Sequence, residues 1–411
     1  MILDDQPGLN LLFKILNKNN SLEELLQGLT SEDWTLVVHS AREHGLGLLL
    51  YQRLSQAKGL IPVSIYKHLR ELFLRATARN MVMQHHAGNV LRNLRDRELE
   101  VIVLKGLYLA ESVYSAIGAR TFGDIDLLLR RAELPVALEV MRSIGYEIST
   151  WYDPDDPNRD IKHLPPLVKQ GSPIIELHWT ILEEEEPFSI DVEGMWARSV
   201  AAEIAGVAVR GLSLEDFILH LSMHLTYQHR LAAGVRNLYD IDAVIRKGGV
   251  DWTRLLTTAR EWGAERVIWL TLRLLQEIAG TPLPSEVFGE LLPQQPDPVI
   301  VDEAWRQLLD HGSGDVALTP DLAALGETKG ACRKIRLAFE RVFIRKRVLA
   351  REYNVDPRSI WIYGFYLVRA INLVRSYSGS VMAIMRKDQD FQVIALEEHL
   401  RAKVNDWLKE N

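Results

Sequence analysis

The run Gly123-Asp124-Ile125-Asp126-Leu127-Leu128-Leu129 constrains this chain more than any other stretch. Its aliphatic residues read as a strand of a core, and side chains two apart on a strand share a face, so Asp124 and Asp126 present two carboxylates to one point. Such a pair holds a hard divalent cation. Magnesium takes oxygen ligands in octahedral geometry, usually one or two carboxylates with phosphates and water completing the shell. Taken alone, an Asp-x-Asp also fits a solvated strand edge, so its neighbours decide.

Upstream, Glu100-Val101-Ile102-Val103-Leu104 is a β-branched run, and Lys105-Gly106 followed by Leu107, Leu109, Ala110 and Val113 reads as strand, tight turn, helix. A glycine where a helix opens lets an anion approach free backbone N–H groups, which suits a triphosphate. Arg120, just before the carboxylates, is placed to contact phosphate oxygens or to form a surface ion pair. Downstream, Glu176 sits in Ile174-Ile175-Glu176-Leu177, where a charge on a core strand is costly unless paired or metal-bound. It is the expected third carboxylate, with Asp160 or one of Glu183 to Glu186 as alternatives if the strand register differs. His178 shares its strand face and reads as a packed support to the site.

The surroundings are helical. Leu11, Leu12, Ile15, Leu22, Leu25 and Leu26, then Leu46 to Leu54 and Ile65 to Val90, follow three-to-four-residue spacing, with Ser21 and Ser31 as N-cap candidates. After a helix over about 132–144 and a strand from Tyr146, strands near Leu164–Lys169 and Ile174–Ile181 flank Gly171-Ser172-Pro173 as a hairpin. The helical pattern returns beyond Leu212, with Ser213 as a start signal. The expected organisation is α+β: a helical region over 1–97, a small mixed-sheet α/β domain over 98–190, a helical domain over 191–285 that closes a cleft, and a linker with a basic helical region over 286–411.

These residues resemble a known pattern, the DNA polymerase beta-like nucleotidyltransferase superfamily, in which a glycine-containing turn opens a helix, Asp-x-Asp follows on the next strand, and a third acid lies on a later one. Leu104-Lys105-Gly106, Tyr114, Arg120, Gly123 to Leu128 and Glu176-Leu177-His178-Trp179 are similar to the bacterial family of uncharacterised nucleotidyltransferases, and the likeness runs through His224, His229, Arg236 and Asp240 over roughly 40–280. The resemblance implies transfer of a nucleoside monophosphate from an NTP, with ATP expected, to a hydroxyl or phosphate on an unidentified acceptor. Asp124, Asp126 and Glu176 would be catalytic and hold two Mg²⁺ or Mn²⁺ ions. Lys105, Gly106, Arg120 and Gly123 would bind the nucleotide, and His178, Arg236, Asp240 and His224 would stand behind or beside them. The superfamily's usual turn is Gly-Ser or Gly-Gly; here Leu107 follows Gly106, and Lys105 stands in front as a substitute phosphate contact. A non-catalytic nucleotide-binding or interaction module, such as half of a toxin–antitoxin-like pair, is the alternative.

His220 and His224, four apart, suit two ligands on one helix face, but zinc needs a third; histidines facing an interdomain surface are the simpler reading. The net charge of −7 argues against a general nucleic-acid coat, yet residues 333–387 carry thirteen Lys or Arg against three acids. With Trp361, Tyr363, Phe365 and Tyr366 among them, this segment reads as a helix packed on its own protein, as an interfacial helix meeting anionic lipid, or, less readily, as a segment that grips nucleic acid. One cysteine, Cys332, excludes an internal disulfide, and Asp4 and Asp5 do not suit a signal peptide. The expectation is a cytoplasmic protein, with peripheral contact at the inner membrane face through the basic segment.

Overall fold

The computed structural model describes residues 6–149, 162–183, 186–292, 296–309, 349, 359, 362–369 and 400–410. The chain divides into two compact units, one formed by 1–154, 158–311 and 405–411, the other by 155–157 and 312–404. The first is α+β.

It opens with four short helices, α1 (Pro7–Leu16), α2 (Leu22–Gln27), α3 (Ser31–Glu43) and α4 (Gly47–Leu54), followed by the long α5 (Val63–Arg95). Leu12, Leu46, Leu50 and Leu54 are fully buried among them, each contributing about 1.5–3 kcal/mol relative to exposure. Thr30, not Ser31, caps α3: its hydroxyl accepts from the Asp33 amide while Asp33 accepts from the Thr30 amide. Such a reciprocal box satisfies two otherwise orphaned donors, and Ser31 becomes the first helical residue. Ser21 precedes α2 as expected, but its side chain makes no capping bond.

The sheet has seven strands: β1 (Ile102–Val103), β2 (Asp124–Leu128), β3 (Glu147–Ile148), β4 (Leu167–Val168), β5 (Ile174–His178), β6 (Val200–Ile204) and β7 (Val207–Gly211). Their order is β3-β4-β5-β2-β1-β7-β6. β2 pairs parallel to β5 and antiparallel to β1, and β1 pairs parallel to β7, so the sheet is mixed. β1 is short as an element, but its hydrogen bonding extends on both sides, from Leu104 N–H to the Asp126 carbonyl and from Arg210 N–H to the Val101 carbonyl. The turn at Gly171 joins β4 to β5 as an antiparallel hairpin. One part of the sheet lies outside 98–190: β6 and β7 form a hairpin inside the stretch expected to be helical. Val200-Ala-Ala-Glu-Ile204 and Val207-Ala-Val-Arg-Gly211 alternate only weakly, and both strands leave residues exposed, so no helix-or-strand period dominates.

The helices around the sheet are α6 (Lys105–Tyr108), continued by a π-turn over Leu109–Val113, α7 (Leu134–Ser143), α8 (Val192–Arg198), α9 (Leu214–Met223), continued by a π-turn over His224–Gln228, then α10 (Val235–Arg246), α11 (Trp252–Trp262), α12 (Glu265–Ala279), α13 (Val287–Leu291) and α14 (Pro298–Leu309). Ser213 caps α9 through the Asp216 amide. From Glu215 to Met223 every residue of α9 is buried, because it packs against α10, α11 and α12. No helix among the described residues is long and apolar enough to cross a membrane.

In the second unit, Leu349 and Ile362 are buried and Phe365 and Tyr366 pack against them, while Tyr363 and Leu367 are exposed. Apart from 349, 359 and 362–369, the basic segment 333–387, Trp361 included, lies outside the described residues, as does Cys332.

Candidate active site

The β2–β5 register brings the acids together. Asp126 pairs with Glu176 and Leu128 with His178, and residues directly opposite on neighbouring strands point to the same face. Asp124, two residues before Asp126, shares that face at the exposed end of β2. Asp126 is only 2% exposed, whereas the Glu176 side chain remains partly open. The expected register for Glu176 is therefore the observed one. Among its alternatives, Glu186 accepts a short hydrogen bond from the Tyr227 hydroxyl, Glu183 is not among the gathered ligand atoms described below, and Asp160, Glu184 and Glu185 lie outside the described residues.

Lys105 and His178 converge on one oxygen of Asp126. Lys105 Nζ donates to Asp126 Oδ1 at 3.1 Å and His178 Nε2 approaches the same oxygen at 3.0 Å, with Glu176 Oε2 at 3.3 Å from that nitrogen. Burial works to raise the Asp126 carboxyl, but the Lys105 ammonium and the His178 hydrogen bond outweigh it and hold it well below the usual carboxylate range. Burial likewise disfavours the Lys105 charge, and the carboxylates of Asp126, Glu176 and Asp124 more than offset it, leaving its pKa raised. Asp124 is pushed up, first by burial and then by the Asp126 charge. Lys105 has φ +42°, a left-handed conformation that costs a non-glycine residue about 1–3 kcal/mol. That cost is tolerated where the side chain lands on a buried carboxylate.

A divalent cation fits this donor set. One ligand atom from each of Asp126, Glu176 and His178 lies within 4.8 Å of the others, the only such group among the described residues. Asp124 is not part of it, although it shares the strand face. The two carboxylates are the hard donors. His178 points Nε2 between them, while its buried Nδ1 has no hydrogen-bond partner. A metal-ligating histidine normally donates its second N–H to an acceptor, so this arrangement favours the proton on Nε2 and makes His178 a donor that holds the carboxylates. Residues 30–280, more than half of the chain and all of this site, match the family described as "Uncharacterised nucleotidyltransferase". The chain belongs to that family. No curated protein matches it.

In this nucleotidyltransferase family member Asp124 and Asp126 open into a cleft of about 520 Å³, lined also by Lys105, Gly106, Arg120 and Gly123 on one side and by His224, His229, Arg236 and Asp240 on the other. The structure gives several of these residues work that differs from expectation. Arg120 is not in a surface ion pair: it is buried, with Nε 2.9 Å from both oxygens of Asp240. Asp240 also accepts from the Tyr114 hydroxyl at 2.8 Å, so Arg120, Asp240 and Tyr114 form a network that braces the wall. Arg236 makes no ion pair among the described residues, and burial and the neighbouring Arg120 lower its pKa. It is the cation left available to an anionic ligand. Arg79 joins it from α5, a residue that sequence reasoning missed because it lies 26 positions before Lys105 in no motif.

Gly106 is required by packing: a Cβ there would lie 2.7 Å from Phe122 Cβ. Gly123 meets nothing within 4 Å, so its small size keeps that side of the cleft open. His224 and His229 do line the cleft, their Nε2 atoms 3.0 Å apart. Since one of two hydrogen-bonded ring nitrogens must carry the proton, the pair shares a single Nε2 hydrogen. His220 is buried behind them, and burial and then the Lys105 charge hold both His220 and His224 well below the ordinary histidine pKa. No described residue completes a gathered three-ligand group with these histidines.

Proposed function

We propose that the protein is a metal-dependent nucleotidyltransferase of the polymerase beta-like type, moving a nucleoside monophosphate from an NTP, with ATP the expected donor, to a hydroxyl or phosphate on an acceptor. The observation that carries this reading is the convergence of Asp124, Asp126 and Glu176 on one sheet face, with Asp124 and Asp126 lining a cleft whose opposite wall offers Arg236, which has no ion pair among the described residues. A divalent cation such as Mg²⁺ or Mn²⁺, held by Asp126 and Glu176 with Asp124 beside them, would supply charge neutralisation at the α-phosphate.

The chain's own groups do the rest. Arg236 and Arg79 bind the β- and γ-phosphates by charge-assisted hydrogen bonds. Lys105 and His178 fix Asp126 in position, and the Arg120–Asp240–Tyr114 network fixes the wall that carries Arg236. The acceptor oxygen forms a bond to the α-phosphorus while the α–β bridging P–O bond breaks. The bridging electron pair leaves on pyrophosphate, and the acceptor proton passes to the Glu176 carboxylate. His224 and His229 line the cleft with Arg236.

Pyrophosphate release with each of the four NTPs, from the purified protein and from Asp124→Ala/Asp126→Ala, tests the reading. Release that disappears in the double variant supports it. A second reading, a nucleotide-binding module without turnover, draws on the burial of Asp126 under Lys105; nucleotide binding with no release in the presence of acceptor would favour it.

A further inference from the structure

We infer that this site works with one bound divalent cation, and that the Lys105 ammonium takes the place a second ion would have. The inference rests on the nucleotidyltransferase reading and refines it. Two-ion sites place their ions about 3.5–4 Å apart, and a carboxylate serving both must give an oxygen to each. Among the described residues Asp126 is the acid at the centre of the site: it follows Asp124 on one strand face, stands opposite Glu176 on the next strand, and gathers with Glu176 and His178 within 4.8 Å, a group Asp124 does not join. Asp126 Oδ1 is already used: Lys105 Nζ at 3.1 Å and His178 Nε2 at 3.0 Å fill the two lone pairs of that oxygen. Oδ2 remains, which is enough for one ion.

Lys105 is also built to stay. Its side chain is largely buried (17% exposed), with Nζ 3.1 Å from Asp126 Oδ1. Its backbone is held at φ +42°, so the chain accepts strain at this turn in order to aim a cation at the carboxylates. A glycine would meet the backbone requirement without strain, and what lysine adds is the ammonium. The tether makes this charge permanent, whereas a second ion would have to be recruited from solution.

Electron paramagnetic resonance of Mn²⁺ counts the ions directly. The full-length protein is titrated with Mn²⁺ in the presence of each α,β-methylene nucleoside triphosphate in turn, beside Lys105→Gly, which removes charge and backbone strain, and Lys105→Met, which removes the charge alone. The wild type is expected to bind one Mn²⁺ per chain with an isolated six-line spectrum, and both variants to bind two with the broadened spectrum of a coupled pair. A coupled pair in the wild type overturns the inference and leaves nucleotidyl transfer standing. A single ion in either variant also overturns it, because the ammonium is then not what excludes the second ion. No Mn²⁺ bound to the wild type with any nucleotide overturns this inference and the nucleotidyltransferase reading together.

Discussion

Asp240→Asn tests whether the Arg120–Asp240–Tyr114 network braces the cleft or touches ligand. The Arg120 and Asp240 side chains are 10% and 2% exposed and meet at 2.9 Å, so little solvent screens them. Removing one partner of a buried pair leaves an uncompensated charge and costs about 3–5 kcal/mol, and Arg236 already repels Arg120 here. Folded proteins are stable by roughly 5–15 kcal/mol, so the loss should be plain in a urea titration followed by tryptophan fluorescence. Arg120→Met/Asp240→Leu, which removes both charges, should recover most of it and fall within about 1 kcal/mol of the wild type. A loss below about 1 kcal/mol for Asp240→Asn would refute the bracing role, as would a double variant no better than the single. Weakened nucleotide binding with an unchanged urea midpoint would instead make Asp240 a ligand contact.

Three further outcomes are expected. Arg236→Ala and Arg79→Ala should each weaken binding of an α,β-methylene nucleotide at least tenfold, or about 1.4 kcal/mol, with melting temperature nearly unchanged because neither arginine has an ion-pair partner among the described residues to strand; calorimetric titration reads both. Gly106→Ala should lose about 1–3 kcal/mol in chemical denaturation by forcing a Cβ to within 2.7 Å of Phe122, and an unchanged stability would mean that Phe122 moves freely. His220 and His224 have folded pKa values below the ordinary 6.5, so the unfolded chain binds more protons in that window: their contribution is complete above pH 6.5 and is lost as pH falls below it, by about 1.4 kcal/mol per pH unit for each. His220→Leu should flatten the fall in urea midpoint between pH 7 and 5.5, and an unflattened curve removes His220 as its source.

Asp124, Asp126 and Glu176 were legible because a strand has a strict period of two: once the runs around Ile125 and Ile175 are read as neighbouring strands, a single register puts the carboxylates on one face. The turn at Lys105-Gly106 was legible as a turn but not in its reasons. Gly106 answers to Phe122, sixteen residues away in sequence, and Lys105 answers to a charge on the next strand. Arg120 shows the limit most clearly. Its partner lies 120 residues away, and no local pattern distinguishes an arginine bound for a buried carboxylate from one bound for a phosphate. Arg79 carries no motif at all, since it reaches the cleft only through the path of a 33-residue helix. The β6–β7 hairpin went unseen because its strands are half-exposed and alanine-rich, leaving little periodicity to read.

Nucleotidyl transfer is tested most directly by following the two ends of the nucleotide separately, with α-labelled and γ-labelled ATP, Mg²⁺ and a nucleotide-depleted cell extract as acceptor source. The account predicts that the α-label moves to a new product, that the γ-label appears in pyrophosphate, and that both changes vanish in Asp124→Ala/Asp126→Ala. Transfer of the γ-label, or its release as inorganic phosphate, would contradict the account and make the site one of phosphoryl transfer or hydrolysis.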